Sequence, residues 1–189
     1  ETPSPRWGHS LVRLSGTNHL AVLVGGRSAD YVCSDSLYVL SAVEDDNVHF
    51  LWEPVLDNGI CRRFHHSAVA SDDSRVFVFG GLDQIDSING ETCKAALVET
   101  NATEGQAAVT ALADAFPTSF GHSACFLDVP VPGECRLLYT GGLSIPNGAH
   151  ADDDTEPQHD ALFSTMLLNT DKQQVTMEPL ALEVDFGTL

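Results

Sequence analysis

The sequence predicts an all-β protein, more narrowly a partial β-propeller built from three four-stranded antiparallel blades. Three observations lead to this fold class. A short motif ending in His-Ser recurs three times along the 189 residues, and its serines are 57 and 56 residues apart. Each copy is followed by an apolar stretch that closes on two glycines. Hydrophobic residues make up 43% of the chain and charged residues 19%, which argues against a disordered chain and against a coiled coil.

Each repeat opens with its motif and an inner strand, such as the one predicted at 67–70. A second strand follows, and its residues are apolar in succession rather than alternately, which is typical of a strand covered on both faces. The motifs lie at 6–10 (RWGHS), 63–67 (RFHHS) and 119–123 (SFGHS), and the second strands are predicted at 19–24, 75–79 and 136–140.

A pair of glycines closes each second strand. Because glycine has no Cβ atom, two in succession permit a sharp bend and a close approach by neighbouring backbone. One pair would suggest an ordinary turn, but three pairs in register indicate a requirement of the repeat. The pairs are Gly25 and Gly26, Gly80 and Gly81, and Gly141 and Gly142.

Third and fourth strands complete each unit. In the second repeat the fourth strand falls at 107–112, where the apolar residues also fit helical spacing, and the register of the repeat decides for a strand. Four short strands that recur every ~50 residues are typical of a propeller blade. The remaining predictions are third strands at 36–40, 95–98 and 162–167, and fourth strands at 49–53 and 174–177.

The glycine pairs, each preceded by Arg/Ser-x-x-His-Ser, resemble the kelch-repeat family of β-propellers over about residues 5–180. Tyr38 and Trp52 lie where kelch repeats place their aromatic packing residues. The second and third repeats lack the tryptophan, and Ser119 replaces the motif arginine. The resemblance implies that 1–189 is a single kelch-repeat segment, with blades at about 5–61, 62–117 and 118–180.

Three blades do not close a ring, because propellers have about four to eight. We therefore expect further blades in the same polypeptide, or other copies of the chain, to complete it. The start at Glu1, directly before a motif and without a methionine, favours a fragment of a larger protein.

The motif histidines are candidate functional residues. His9, His66 and His122 recur at one repeat position and could act as ligands or general bases. Recurrence with the fold favours framework residues that are hydrogen-bonded at the start of each inner strand. His65 is an extra histidine of the second repeat, and it could face the rim.

Arg6, Arg27 and Arg63 lie beside predicted strand ends, where propeller loops gather. Arginine there could hold an acidic peptide through bidentate pairing. It could equally pair with local carboxylates, and the sequence leaves both alternatives open. Together with His65, these arginines form the predicted partner-binding set.

The connections after the glycine pairs, at 27–35, 82–93 and 143–160, lengthen along the chain, and variable loops on a rigid scaffold carry recognition. The segment 150–160 holds clustered carboxylates and two histidines that could bind a divalent cation. It lacks the glycine and the ligand spacing of a calcium loop, so a solvated loop is the favoured interpretation and no metal site is predicted.

The formal charge of −18 disfavours binding of nucleic acid or an anionic membrane, and no apolar run approaches the ~20 residues that span a bilayer. No signal peptide is visible, and five widely spaced cysteines without a C-x-x-C pair favour reduced thiols in the cytoplasm or nucleus.

Sequence motifs for a catalytic serine, a P-loop, a zinc protease or a dinucleotide are absent, so no catalytic residue or cofactor is predicted. The leading hypothesis is a non-catalytic kelch scaffold that binds another protein through its loops. One alternative is the accessory kelch half of a larger enzyme, since 51–55 and 63–67 faintly resemble the tRNA wybutosine-synthesising, leucine-carboxyl-methyltransferase-like proteins. A structural spacer without a dedicated ligand is the third.

Overall fold

The computed structural model of the chain consists of β-strands, with no helix among the residues that it describes. All four-stranded sheets in this part of the chain are antiparallel, which confirms the predicted all-β class and the four-stranded unit. The structure describes residues 2–15, 19–30, 32–34, 37–44, 48–55, 59–71, 74–83, 95–100, 107–112, 119–127, 134–140, 142–144, 163–169 and 174–179.

The first sheet has the strand order β1-β2-β3-β4, so each strand pairs with the next one in the chain. The last two strands run longer than predicted because their hairpin stays paired out to Glu44 and Val48. The strands are β1 (Ser10–Arg13), β2 (His19–Val24), β3 (Leu37–Glu44) and β4 (Val48–Val55).

The second sheet repeats this order with β5 (Ser67–Ala70), β6 (Arg75–Phe79), β7 (Ala96–Glu99) and β8 (Ala108–Ala111). The ambiguous segment of the second repeat is therefore a strand, in register with β7 through the pairing of Val98 with Val109.

The third repeat adds a third sheet of the same order and, beside it, a sheet of two short strands. The short strands are β9 (Ser119–Phe120) and β12 (Leu143–Ser144). The four-stranded sheet consists of β10 (Ser123–Leu127), β11 (Glu134–Thr140), β13 (Phe163–Asn169) and β14 (Gln174–Pro179).

Two hydrophobic cores lie between the three sheets, one at each junction, and strand β6 contributes side chains to both. Val76 and Val78 pack into the core shared with the first sheet, whereas Phe77 and Phe79 pack into the core shared with the third. All four side chains are buried. Coverage on both faces explains why this strand reads as an unbroken apolar run.

The innermost strands of the three sheets are neighbours, since β5 lies between β1 and β10. The stacking brings the three motifs to one end of the inner strands. Within the described residues, no helix has the length and apolar character needed to cross a membrane. Gly141, the acidic segment 150–160 and most of the predicted loops 82–93 and 143–160 lie outside the described residues.

Candidate functional site

A repeated backbone pairing that the sequence did not predict joins each motif to its glycine pair. In every repeat the residue two positions before the motif histidine pairs with the residue directly after the glycines. Trp7 and Arg27, for example, exchange two backbone hydrogen bonds of 3.0 Å. The three pairs are Trp7 with Arg27, Phe64 with Leu82, and Phe120 with Leu143.

The motifs of successive repeats are also hydrogen-bonded to one another through the residue before each motif histidine. The amide of His65 donates to the carbonyl of Gly8 at 3.0 Å, and the amide of Gly121 donates to the carbonyl of His65 at 2.8 Å. We call Trp7, Gly8, His65 and Gly121 the hub surface. Trp7 is 42% exposed, and His65 and Gly121 are exposed as well.

His65 has a backbone conformation that its two counterparts reach with glycine. Its φ is +54°, against +65° at Gly8 and +69° at Gly121. Among the described residues His65 is the one non-glycine residue with positive φ. A side chain in this left-handed region carries a conformational strain of about 1–2 kcal/mol. The second repeat therefore has an exposed histidine with a strained backbone at the position where the other two repeats have glycine.

Two aromatic side chains flank the imidazole of His65. Its centroid lies 5.5 Å from the Trp7 ring and 5.0 Å from the Phe64 ring. Partial burial, and to a smaller extent the charge of Arg27, lower the pKa of His65 below its usual value. The ring is therefore neutral at pH 7 and offers one donor and one acceptor nitrogen.

Arg27 lies beneath this surface rather than on it. Its side chain is fully buried, and its guanidinium carbon lies 4.5 Å from the centroid of the Trp7 ring and 4.9 Å from that of Phe64. A buried cation–π contact of this kind contributes about 2 kcal/mol. Arg27 thus braces Trp7 and Phe64, which belong to two different repeats, and leaves no guanidinium surface for a peptide.

Arg6 and Arg63 hold the glycine pair of their own repeat. The Nη1 of Arg6 donates to the carbonyl of Gly25 at 3.1 Å, and that of Arg63 donates to the carbonyl of Gly80 at 2.9 Å. Arg63 is buried and also donates to the carbonyl of Ile60 at 2.7 Å. The shared contact explains why arginine recurs at this motif position, and the structure gives both residues a framework contact.

The motif serines join each sheet to the next. Ser67 donates through its hydroxyl to the carbonyl of His122 at 2.9 Å, and Ser10 makes a longer contact of 3.4 Å with the carbonyl of His66. These contacts run from one repeat to the motif histidine of the following repeat.

The motif histidines differ in their surroundings. His66 and His122 are buried against the preceding repeat, whereas His9 is exposed. Burial is the largest cause that lowers the pKa of His66 to about 3, followed by the charge of Arg63. Neither ring nitrogen of His66 has a hydrogen-bond partner among the described residues. His66 is therefore held through its backbone carbonyl, which accepts from Ser10, and through the packing of its ring. The expected hydrogen bond of the imidazole is not formed within the described residues.

The second glycine of each pair makes room for the motif histidine. A Cβ atom at Gly26 or Gly81 would lie 2.8 Å from the Cβ of His9 or His66, and one at Gly142 would lie 2.9 Å from the Cβ of His122. A side chain at the first glycine, Gly25, would overlap the carbonyl of Arg63 in the next repeat. The glycines at these positions therefore lie where a side chain would meet a neighbouring carbonyl or the motif histidine.

Tyr38 and Trp52 pack together on the first sheet. Their rings meet edge to face with centroids 6.5 Å apart, and the guanidinium carbon of Arg6 lies 5.3 Å from the centroid of the Tyr38 ring. The two rings and the guanidinium of Arg6 thus form one cluster on this sheet.

The described residues hold no group of three or more His, Cys, Asp or Glu side chains that converge on one point. Cys33, Cys61 and Cys125 are thiols rather than halves of a disulfide. Burial raises the pKa of Cys33 despite the opposing charges of Arg62 and Arg27, so this thiol is protonated at pH 7.

Of the four predicted partner-binding residues, His65 is the one on the hub surface. Trp7, the largest exposed side chain there, was missed. A comparison of the motifs could have found Trp7, because it stands where the other two repeats have phenylalanine.

No family model matches the chain. Over 85 residues, which are 44% of this chain and 2% of the other, it is 35% identical to the dynein alpha chain of the flagellar outer arm of Chlamydomonas reinhardtii.

Two solved structures are similar in fold. The structure of YjhT superposes on 93% of this chain with a TM-score of 0.51 and 12% identity, and the match covers 47% of that chain. The cryo-EM structure of RAG in complex with one melted and one unmelted RSS contains a chain that superposes on 91%, with a TM-score of 0.53 and 15% identity, and 51% of it is covered. The chain thus spans about half the length of each of these solved chains and shares their fold.

Proposed function

We propose that the chain is a non-catalytic segment of a kelch-type β-propeller that binds another protein through its hub surface. The stacked four-stranded sheets, the recurring motif and glycine pair, and the match to about half of two larger chains support the propeller. The exposed His65, strained where its counterparts are glycine, is the observation that carries the binding role.

Strain at an exposed residue is retained where the side chain has a use outside the fold. Trp7 beside it is 42% exposed and is held in place by Arg27, so its ring loses little freedom on binding. Rigid aromatic side chains of this kind are the usual anchors of protein interfaces. The neutral imidazole of His65 adds a donor and an acceptor that can fix the orientation of a partner backbone or side chain.

The test is a comparison of His65→Asn with the wild-type protein. Asparagine tolerates the left-handed conformation, so we expect the free energy of unfolding to change by less than about 1 kcal/mol. Recovery of the partner from a native extract by the full chain should fall at least about tenfold, because the imidazole contact is lost.

A photo-crosslinking side chain at position 7 should capture the partner, and the same group at Phe50, which is 67% exposed and lies on the outermost strand of its sheet, should not. Equal capture at both positions, or full recovery with His65→Asn, would exclude the hub surface as the binding site.

The similarity to 85 residues of a flagellar outer-arm dynein chain favours a second candidate, an accessory repeat segment within a much larger polypeptide whose other parts carry the activity. In that case substitutions on the hub surface should leave recovery of the partner unchanged. Substitutions in the cores between the sheets should instead reduce the amount of the larger protein that is folded. We place either form in the cytoplasm or nucleus, where free thiols persist.

A further inference from the structure

The hairpin of strands β3 and β4 is longer than its counterpart in the second sheet. Counted from the glycine pairs, the paired part of β7 and β8 stops at the level of Ser41 and Leu51 in the first sheet. Beyond this level β3 and β4 stay paired over three further residues each, at 42–44 and 48–50, which we call the arm. The arm therefore projects past the strands that the structure describes in the second sheet.

The arm exposes apolar side chains on both of its faces. Val43 is 41% exposed and Phe50 is 67% exposed, and they lie on opposite faces because Phe50 pairs with Ala42, the neighbour of Val43. Leu51, at the base of the arm, lies on the face of Val39, which packs against the second sheet. Leu51 is nevertheless 43% exposed with that sheet in place. A neighbouring sheet of the same length would leave the arm exposed on either side.

β4 is also the outermost strand of its sheet, so one edge of its backbone faces away from β3. Proteins usually keep such edges short or charged, because an exposed edge is a template for another strand. The outer strand of the second sheet, β8, has 4 residues, whereas β4 has 8 and includes Phe50 and Leu51. Pro54 has no amide hydrogen to donate, which limits pairing along this edge to residues 48–53.

We propose that an extended segment of a second protein adds to β4 as a fifth strand of the first sheet. A helix or a flat surface would cover one face of the arm. An added strand covers both faces, because its side chains alternate between them. Backbone hydrogen bonds to β4 then supply much of the affinity, and the side chains beside the arm select the sequence.

The neighbouring side chains define the chemistry of this segment. Phe50 and Leu51 are consecutive, so the segment carries two consecutive apolar residues, of which β-branched and aromatic ones fit a strand best. Glu53 is exposed, and its carboxylate accepts from the Ser41 hydroxyl at 3.2 Å. The residue that falls beside Glu53 is two positions from the one beside Leu51, and lysine or arginine is complementary there. The formal charge of −18 also favours a basic segment.

The arm is separate from the hub surface. β2 ends at the glycine pair, which is bonded to the hub motif, and β3 runs antiparallel to β2 and away from that end. The strand partner is therefore a different ligand from the hub partner. A protein captured at position 50 should differ from the one captured at position 7.

Selection from random peptides of about ten residues displayed on phage, with the 189-residue chain as bait, tests the proposal. We expect enrichment of peptides with an apolar pair and a lysine or arginine two positions away. Fluorescence anisotropy with synthetic copies gives their dissociation constants. Combining Phe50→Thr with Leu51→Thr, which keeps strand propensity, should raise the constant at least about tenfold. Val32→Thr, at a residue that is 58% exposed in the loop 27–35, is the matched control and should leave it unchanged.

Methylation of the peptide's backbone nitrogens separates strand addition from other modes of binding. Only alternate amides of an added strand donate to its neighbour, so methylation at one alternate set should abolish binding and at the other set should preserve it. The proposal is overturned if no peptide is enriched, if the double variant binds as well as the wild type, or if methylation has the same effect at every position. Peptides that lose binding with His65→Asn but not with the double variant would also overturn it, and would support the hub surface instead.

Discussion

At the scale of the residue, His66 shows how a neighbouring repeat sets the behaviour of a motif side chain. Burial lowers its pKa from 6.5 to about 3, so the folded protein keeps the ring neutral. The unfolded chain takes up a proton below pH 6.5, and the resulting loss of stability grows as the pH falls from 6.5 towards 3. We expect the free energy of unfolding to fall there by up to about 1.4 kcal/mol per pH unit, and to gain nothing from this group above about pH 7.

Urea unfolding between about pH 7 and pH 5 measures this slope before most carboxylates titrate. His66→Gln removes the titrating group and should flatten the curve, although the variant is less stable than the wild type at pH 7. Phe50→Ala, which alters an exposed side chain and removes no titratable group, should keep the wild-type slope. A slope that is unchanged in His66→Gln would refute the role given to burial.

At the scale of the element, the turn after the second strand depends on the absence of a side chain at Gly81. A Cβ atom there would lie 2.8 Å from both the Cβ of His66 and the carbonyl oxygen of Phe64, and φ is +91°. Gly59 has a similar φ of +79° but nothing within 4 Å of the added atom. We expect Gly81→Ala to destabilise the protein by about 2–4 kcal/mol and Gly59→Ala by about 1 kcal/mol.

The difference between the two variants measures the cost of the close contacts at Gly81, because the strain of a positive φ is common to both. Thermal or urea unfolding of the two proteins provides the values. If the two substitutions had equal effects, conformational strain alone would account for the glycine and the packing argument would fail.

Strands that are buried on both faces were the most predictable elements. β2 and β6 match their predicted ranges, because a continuous apolar run between a polar turn and two glycines has few other interpretations. β3 and β4 extend beyond prediction because hairpin pairing continues through residues without an apolar pattern. The burial of Arg27 was not predictable, since it depends on rings from two repeats that lie far apart in the chain.

At the scale of the whole molecule, the three sheets are held by two separate cores that meet at strand β6. Neighbouring residues of this strand therefore stabilise different junctions: Val78 packs towards the first sheet and Phe79 towards the third. We expect Phe79→Ala to lower the free energy of unfolding by about 3–5 kcal/mol, and Val78→Ala by a smaller amount, since fewer atoms are removed.

Hydrogen exchange resolves which junction opens. With Phe79→Ala, amide protection should fall in β10 and β11 more than in β1 and β2, and with Val78→Ala the order should reverse, because each variant weakens one core. Phe50→Ala, at a side chain that is 67% exposed, should leave amide protection unchanged and should alter the free energy of unfolding by no more than about 0.5 kcal/mol. A uniform loss of protection in both variants would mean that the stack opens as one cooperative unit, and that the two cores do not act independently.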